Sequence, residues 1–415
     1  MSDVVERFMR YVQVDSQSDP DNEAQTPSTP SQHEMARVLG DELRSLGCTD
    51  VEVTDHAYVT GTFAASTGAE TYPALMLCAH IDSSFDAPAT GVRPHVVHYE
   101  GGPLVSGVVS GETIQTTPEQ VPDLEKYVGQ DIICSDGSTL LSADDKSGVA
   151  EICSLLARLA ENPTLPHPVL KLAFVPDEEI GHGAQLLDLD KLDAAYGYTV
   201  DGEALGDFNY ECFNASQAEV LIHGVTVHPG SAKNVMVNAI TVASEFEQLV
   251  PQAERPEHAE GREGFYHPIA IEGSSSDAKL TYILRDFDSD GFARRERVMA
   301  EVAAFLNERY GEGTVTVTIK EQYRNMAEHF AGRDFLIGNA LAANRDAGVE
   351  PRIVPVRGGT DGAQLTFRGL PCPNLATGGY NYHSVREFIP VSALEKTVDV
   401  LEHLVARFAT DEGTR

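Results

Sequence analysis

Val169-Leu170-Lys171-Leu172-Ala173-Phe174-Val175-Pro176-Asp177-Glu178-Glu179-Ile180-Gly181 is an apolar run that empties into three consecutive acids, and the fold is read from it. The same pattern recurs. Ala74-Leu75-Met76-Leu77-Cys78-Ala79 runs into His80, Thr139-Leu140-Leu141 runs towards Asp144, and Tyr196 to Val200 runs into Asp201. Helical stretches separate several of these runs, for example Lys146 to Leu159. Ahead of them, Met35, Val38, Leu39, Leu43 and Leu46 set a helix over 31–46, with Ser31 as N-cap and Glu34 completing a capping box. Short apolar strands alternating with helices predict an α/β layer with a largely parallel sheet. Open sheets of this kind build their sites beyond the carboxyl ends of the strands. Four strands that each end in a ligand-type residue carry more weight than any one of them.

The chain has 415 residues, more than the ~250–300 at which single cores stop growing, so two domains are expected. Composition shifts near residue 209. Strands over 220–227, 280–287 and 314–320 alternate there with helices over about 233–249 and 293–309. The expected organisation is a catalytic domain over 1–208, a smaller α+β domain inserted over 209–324, and a return to the catalytic layer over 325–415. Thirty basic against sixty-four acidic residues give a formal charge of −34, which excludes nucleic acid and anionic lipid surfaces as partners. No apolar run reaches the ~18 residues of a membrane span. The N-terminus lacks a basic segment followed by an apolar one, and the six cysteines are scattered without a C-x-x-C pair. These features predict a cytoplasmic protein with reduced, buried thiols and no cysteine-ligated zinc.

In His80-Ile81-Asp82, positions i and i+2 of a strand share a face. Asp82 can therefore hold one imidazole nitrogen while the other binds a metal. In Ser142-Ala143-Asp144-Asp145-Lys146-Ser147-Gly148, a carboxylate at the end of a buried run has two oxygens with which to bridge two metals. Asp144 is the candidate. In Asp177-Glu178-Glu179, packed carboxylates need a cation or a shared proton, and a metal ligand beside a general base meets that need. Asp201-Gly202-Glu203 ends another strand, and Gly378-Gly379-Tyr380-Asn381-Tyr382-His383 brings in a late histidine. Two histidines and three carboxylates from five places in the chain suit zinc in a two-metal hydrolase.

In order and wording these motifs resemble a metallopeptidase family that contains tripeptide aminopeptidases, carboxypeptidase G and aminoacylase. The match to its tripeptide aminopeptidases extends through His228-Pro229-Gly230, Val235 to Ala239, Arg285-Asp286-Phe287, Tyr323-Arg324-Asn325-Met326 and Arg357-Gly358-Gly359-Thr360-Asp361-Gly362. The resemblance implies a two-zinc exopeptidase fold with an inserted lid and dimerisation domain. It implies that His80 and Asp201 hold one zinc, that Glu179 and His383 hold the other, and that Asp144 bridges them with a non-proline cis peptide to Asp145. Glu178 becomes the general base and Asp82 the residue that orients His80. His228 serves the partner subunit of a homodimer, and Arg285, Arg357 and Asn325 bind the peptide's carboxylate end. The implied reaction is release of the N-terminal residue from tripeptides, by attack of a water shared between the zincs and activated by Glu178. A dipeptidase, a carboxypeptidase or an N-acyl amino acid amidohydrolase on the same scaffold is the alternative.

Overall fold

Parallel pairing of three apolar runs sets the centre of the main sheet. The computed structural model describes residues 1–414. Leu75–His80 lies between Leu170–Val175 and Tyr196–Gly202, parallel to both, and Asn374–Ala376 adds a fourth parallel strand beside Tyr196–Gly202. Leu75–His80 is buried at every position, as expected of a strand covered on both faces. Val59–Phe63 and Thr49–Val53 extend one edge in antiparallel fashion, while Asp207–Asn209 and Arg352–Ile353 complete the other, giving an eight-stranded sheet. The helix Ala143–Glu161 packs across Leu75–His80 and Tyr196–Gly202. No helix among the described residues is long and apolar enough to cross a membrane.

The chain divides into two compact units. One comprises 1–210, 327–354 and 360–415; the other comprises 211–326 and 355–359. The second unit is an antiparallel four-stranded sheet in the order Phe265–Gly273, Asp277–Asp286, Asn214–His223, Val315–Tyr323. The helices Ala239–Leu249 and Ser289–Tyr310 close a core around Phe246, Tyr266, Tyr282, Phe292 and Leu306. It therefore has four strands, where periodicity suggests three. The strand Phe265–Gly273 escapes a sequence reading because it is an edge strand, exposed over Ala270–Gly273 and interrupted by Pro268. The segment 355–359 joins this unit because Val356 donates its N–H to the Glu211 carbonyl at 2.9 Å. Arg357 thus lies in the second unit, although it falls by sequence in the last catalytic segment.

Two further expectations are corrected. Ser31 is helical in φ and ψ and makes no side-chain cap. Its hydroxyl lies 3.2 Å from that of Thr29, and Glu34 pairs with Arg37, so the capping box does not form. Thr139-Leu140-Leu141 is not a strand. Leu140 donates to the Pro88 carbonyl, and the N–H groups of Leu141 and Ser142 are taken by the Glu387 carboxylate instead of a neighbouring strand. All six cysteines are buried and unpaired.

Gly148 marks the closest approach of helix to sheet. A Cβ there would collide with the Val200 carbonyl oxygen and the Asp145 carboxylate. Gly148→Ala should lower stability by about 1–3 kcal/mol through overpacking, measured by denaturant unfolding. An unchanged midpoint would show that the helix can slide without cost.

Candidate active site

The five candidate ligands of the main unit, His80, Asp144, Glu179, Asp201 and His383, arrive at one place, past the carboxyl ends of the parallel strands. His80, only 1% exposed, ends the central strand. Its Nε2 lies 2.8 Å from Asp144 Oδ1 and 3.5 Å from Asp201 Oδ1, and its Nδ1 lies 3.2 Å from Asp82 Oδ1. His383 Nε2 lies 3.4 Å from the other oxygen of Asp144, Oδ2, and 3.0 Å from Glu179 Oε2. One carboxylate thus presents one oxygen to each imidazole. Geometry also groups His80, Asp144 and Glu179, and His80, Asp145 and Asp201, as sets able to hold a metal ion. Among the buried atoms without a hydrogen-bond partner are Glu179 Oε1 and Asp361 Oδ1, free carboxylate oxygens of the kind a cation would take up.

Backbone strain accompanies this convergence. Ser142, Asp177 and His383 all have φ between 57° and 61°, a left-handed region uncommon outside glycine. Each belongs to a different ligand-bearing loop. Asp177 is held there by the helix Gln32–Ser45 and the turn before it: its carboxylate accepts from Ser28 N–H at 2.7 Å, Ser28 Oγ at 2.5 Å and Gln32 Nε2 at 2.6 Å. Asp82 then fixes the two residues that follow, accepting the N–H of Glu178 at 3.1 Å and of Glu179 at 3.2 Å. The peptide between Asp144 and Asp145 is cis.

Several functional neighbours escape a sequence reading. Asp86 Oδ2 lies 2.6 Å from His383 Nδ1, with Ser84 Oγ 3.2 Å from the same nitrogen. His383 therefore has an orienting carboxylate, as His80 does; the signal was an acid near a strand end, without a fixed spacing to its histidine. Asp145 accepts the N–H of His80 and of Gly148, both at 3.1 Å, and ties the strand to the helix. Asp361 is 2% exposed, and its charge bears on Glu178. Tyr380, Asn381 and Tyr382, which the sequence already suggests as a frame for His383, make hydrogen bonds to Asp123, Thr116 and Gly202.

Burial and like charge dominate the electrostatics. Burial lifts Glu178 well above the usual carboxylate range, reinforced by Asp361 and Asp201. Burial likewise pushes Glu179 up to about 7, Asp201 to about 6 and Asp361 to about 8. Burial would also raise Asp144, but the hydrogen bonds from His383 and His80 hold it well below the ordinary range. Hydrogen bonds to Asp144 and Glu179 push His383 up to about 12.

The remaining candidates lie in the second unit. His228 is exposed, and its Nδ1 accepts the N–H of Gly230 at 3.1 Å, which closes the His-Pro-Gly turn. Arg285 donates to the carbonyls of Ser216 and Leu284 and sits over the Tyr323 ring. Arg357 donates to the Gly261 carbonyl at 2.6 Å and lies over the rings of Phe213 and Phe265. Neither guanidinium has a carboxylate within ion-pair distance among the described residues. The Asn325 side chain is engaged with the Cys212 N–H and the Phe287 carbonyl.

The convergence of acids and imidazoles at a sheet edge is that of a metallopeptidase, and the model of peptidase family M20/M25/M40 matches residues 142–407. A peptidase T of Halothermothrix orenii is 43% identical over 411 residues, covering 99% of this chain and 100% of its own. Among solved structures, an aminopeptidase, PepT, of Bacillus cereus aligns with a TM-score of 0.77 at 23% identity, and a tripeptidase of Staphylococcus aureus with 0.76 at 22%, each covering 98% of both chains. The chain belongs to peptidase family M20/M25/M40 and, within it, to the peptidase T group of metal-dependent tripeptidases.

Held up to about 12, His383 keeps its proton throughout the neutral range, and a cation bound at Nε2 must displace it. Metal uptake should therefore release protons and tighten as pH rises, by about tenfold per pH unit for each proton displaced. Calorimetry in two buffers of different ionisation enthalpy measures this. Identical heats would show that no proton leaves.

Proposed function

We propose that tripeptide hydrolysis here uses two zinc ions, one held by His80 and Asp201 and the other by Glu179 and His383, with Asp144 between them. The observation that carries this reading is the Asp144 carboxylate, with Oδ1 facing His80 and Oδ2 facing His383. Two imidazoles with carboxylates suit zinc. When bound, the metal pair supplies a Lewis acid for the scissile carbonyl and lowers the pKa of a water.

The chain's own residues do the rest. Glu178, raised by burial, takes a proton from the attacking water and passes it to the departing amine. Asp82 fixes the ring of His80 and, through two backbone N–H groups, the place of Glu178. The acidic cluster favours a substrate with a free ammonium over an acylated one. Arg285 and Arg357, free of carboxylate partners in their own unit, are suited to grip the peptide's terminal carboxylate, because a guanidinium binds it in a bidentate fork. His228, whose ring makes only the Gly230 hydrogen bond among the described residues, donates to the carbonyl oxygen of a substrate in the partner subunit of a homodimer. Six buried, unpaired thiols suit a reducing compartment, the cytoplasm.

The purified protein should cleave tripeptides with a free N-terminus faster than dipeptides, tetrapeptides or acetylated peptides, and a chelator should abolish the activity until zinc or cobalt is restored. Faster turnover of N-acetyl amino acids would point to an amidohydrolase on the same scaffold.

Glu178→Gln should lower kcat by about 10²–10⁴-fold with zinc content near wild type, whereas Glu179→Gln should lose metal. Mixing Glu178→Gln with His228→Ala subunits, once exchange is shown, should give mixed dimers that regain up to half of wild-type activity each, or about a quarter for a statistical one-to-one mixture. If His228 serves its own subunit, mixing restores nothing.

A further inference from the structure

Glu387 takes no part in the reaction above, yet its carboxylate stands where two ligand-bearing loops meet. It is 1% exposed. Its Oε2 accepts the N–H of Leu141 at 2.8 Å and of Ser142 at 2.7 Å, and its Oε1 accepts the N–H of Asp144 at 3.0 Å. These donors belong to the stretch that reaches Asp144 without forming a strand. Ser142 is held there at φ 61° and ψ 35°. Glu387 therefore supplies the acceptors that a neighbouring strand would otherwise provide.

The same residue closes the other loop. Glu387 follows His383 by four positions, and its own N–H donates to the Ser384 carbonyl at 3.0 Å. Phe388, directly after it, is fully buried and begins the strand Phe388–Pro390, which pairs with Gln130–Cys134. The carboxylate is thus anchored on the His383 side and reaches across to the Asp144 side. Opposing charge is at hand in Lys146, whose buried ammonium donates to the Val14 carbonyl at 2.7 Å and feels the charges of Asp15, Asp82 and Glu387.

We propose that Glu387 is a positioning residue that locks the Asp144 backbone to the His383 loop, so that both metal positions depend on it. This rests on the ligand assignment under the proposed function. With Asp144 as the shared ligand, a shift of its backbone moves the donor oxygen of both sites at once. Partners that orient ligands in this way are typically worth about 10–100-fold in metal affinity.

Glu387→Gln is the discriminating variant. Its single amide oxygen can keep the Leu141 and Ser142 donors, which turns the NH₂ group against the Asp144 N–H, donor facing donor. Zinc affinities of wild type and variant are measured by chelator competition, beside thermal unfolding of both metal-free proteins. The expected result is two zinc equivalents per chain in both, each weakened by about 10–100-fold in the variant, with kcat at saturating zinc lowered and KM little changed. Glu387→Asp, which keeps the charge and both acceptors on a shorter arm, should fall between the two and provides the measurement if the Gln variant does not fold. Weakening of one equivalent alone, or a lower unfolding temperature with both affinities unchanged, overturns the coupling. Wild type taking up fewer than two zinc ions overturns the ligand assignment and the coupling with it.

Discussion

Asp144 has two carboxylate oxygens, and each faces a different histidine. For that to happen, the end of one central strand, the start of a buried helix and a loop late in the chain must converge on one place. The parallel sheet provides the frame, because His80, the Glu178-Glu179 turn and Asp201 all lie past carboxyl ends on the same edge. The loops are then held in conformations they would not adopt alone, as the positive φ values of Ser142, Asp177 and His383 show. Such strain persists only where surrounding contacts over-determine it. The Ser28 and Gln32 bonds to Asp177 do so for one loop, and the Glu387 bonds do so for another.

A second constraint is the cost of gathering carboxylates out of water. Asp144, Glu178, Glu179, Asp201 and Asp361 share a small buried volume, and all but Asp144 are pushed up by that burial. Removing charges from water is expensive unless they are paired. Within the chain, His80 and His383 supply part of the compensation. Divalent cations would supply the rest, so the repulsion that burdens the fold is also what makes the place attractive to a metal. Asp82 and Asp145 accept backbone N–H groups with their oxygens, which offsets part of the cost of burying them.

The second unit holds two guanidinium groups that have no carboxylate within ion-pair distance among the described residues. Arg285 and Arg357 are held by carbonyl oxygens and aromatic faces, not by carboxylates. Those contacts orient a guanidinium without neutralising it.

Local chemistry written along the chain was enough to place three of the parallel strands, Leu75–His80, Leu170–Val175 and Tyr196–Gly202, and the residues at their ends, but not the three-residue strand Asn374–Ala376. A strand buried on both faces must read as a continuous apolar run, and a ligand must follow where that run stops; both facts are visible without any partner in view. Long-range pairing decided what the sequence left open. Thr139-Leu140-Leu141 reads as a strand, but the Leu140 N–H goes to the Pro88 carbonyl and the Leu141 N–H to Glu387, 246 positions away. Phe265–Gly273 gives no strand signal in the sequence, yet pairs with Asp277–Asp286 as an exposed edge. Arg357 changes unit because Val356 bonds to Glu211. Asp86 and Asp361 become neighbours of the site only once the chain has closed on itself. Periodicity records which side of an element faces the core, but not which distant element supplies the missing hydrogen bond, and only the tertiary structure holds that information.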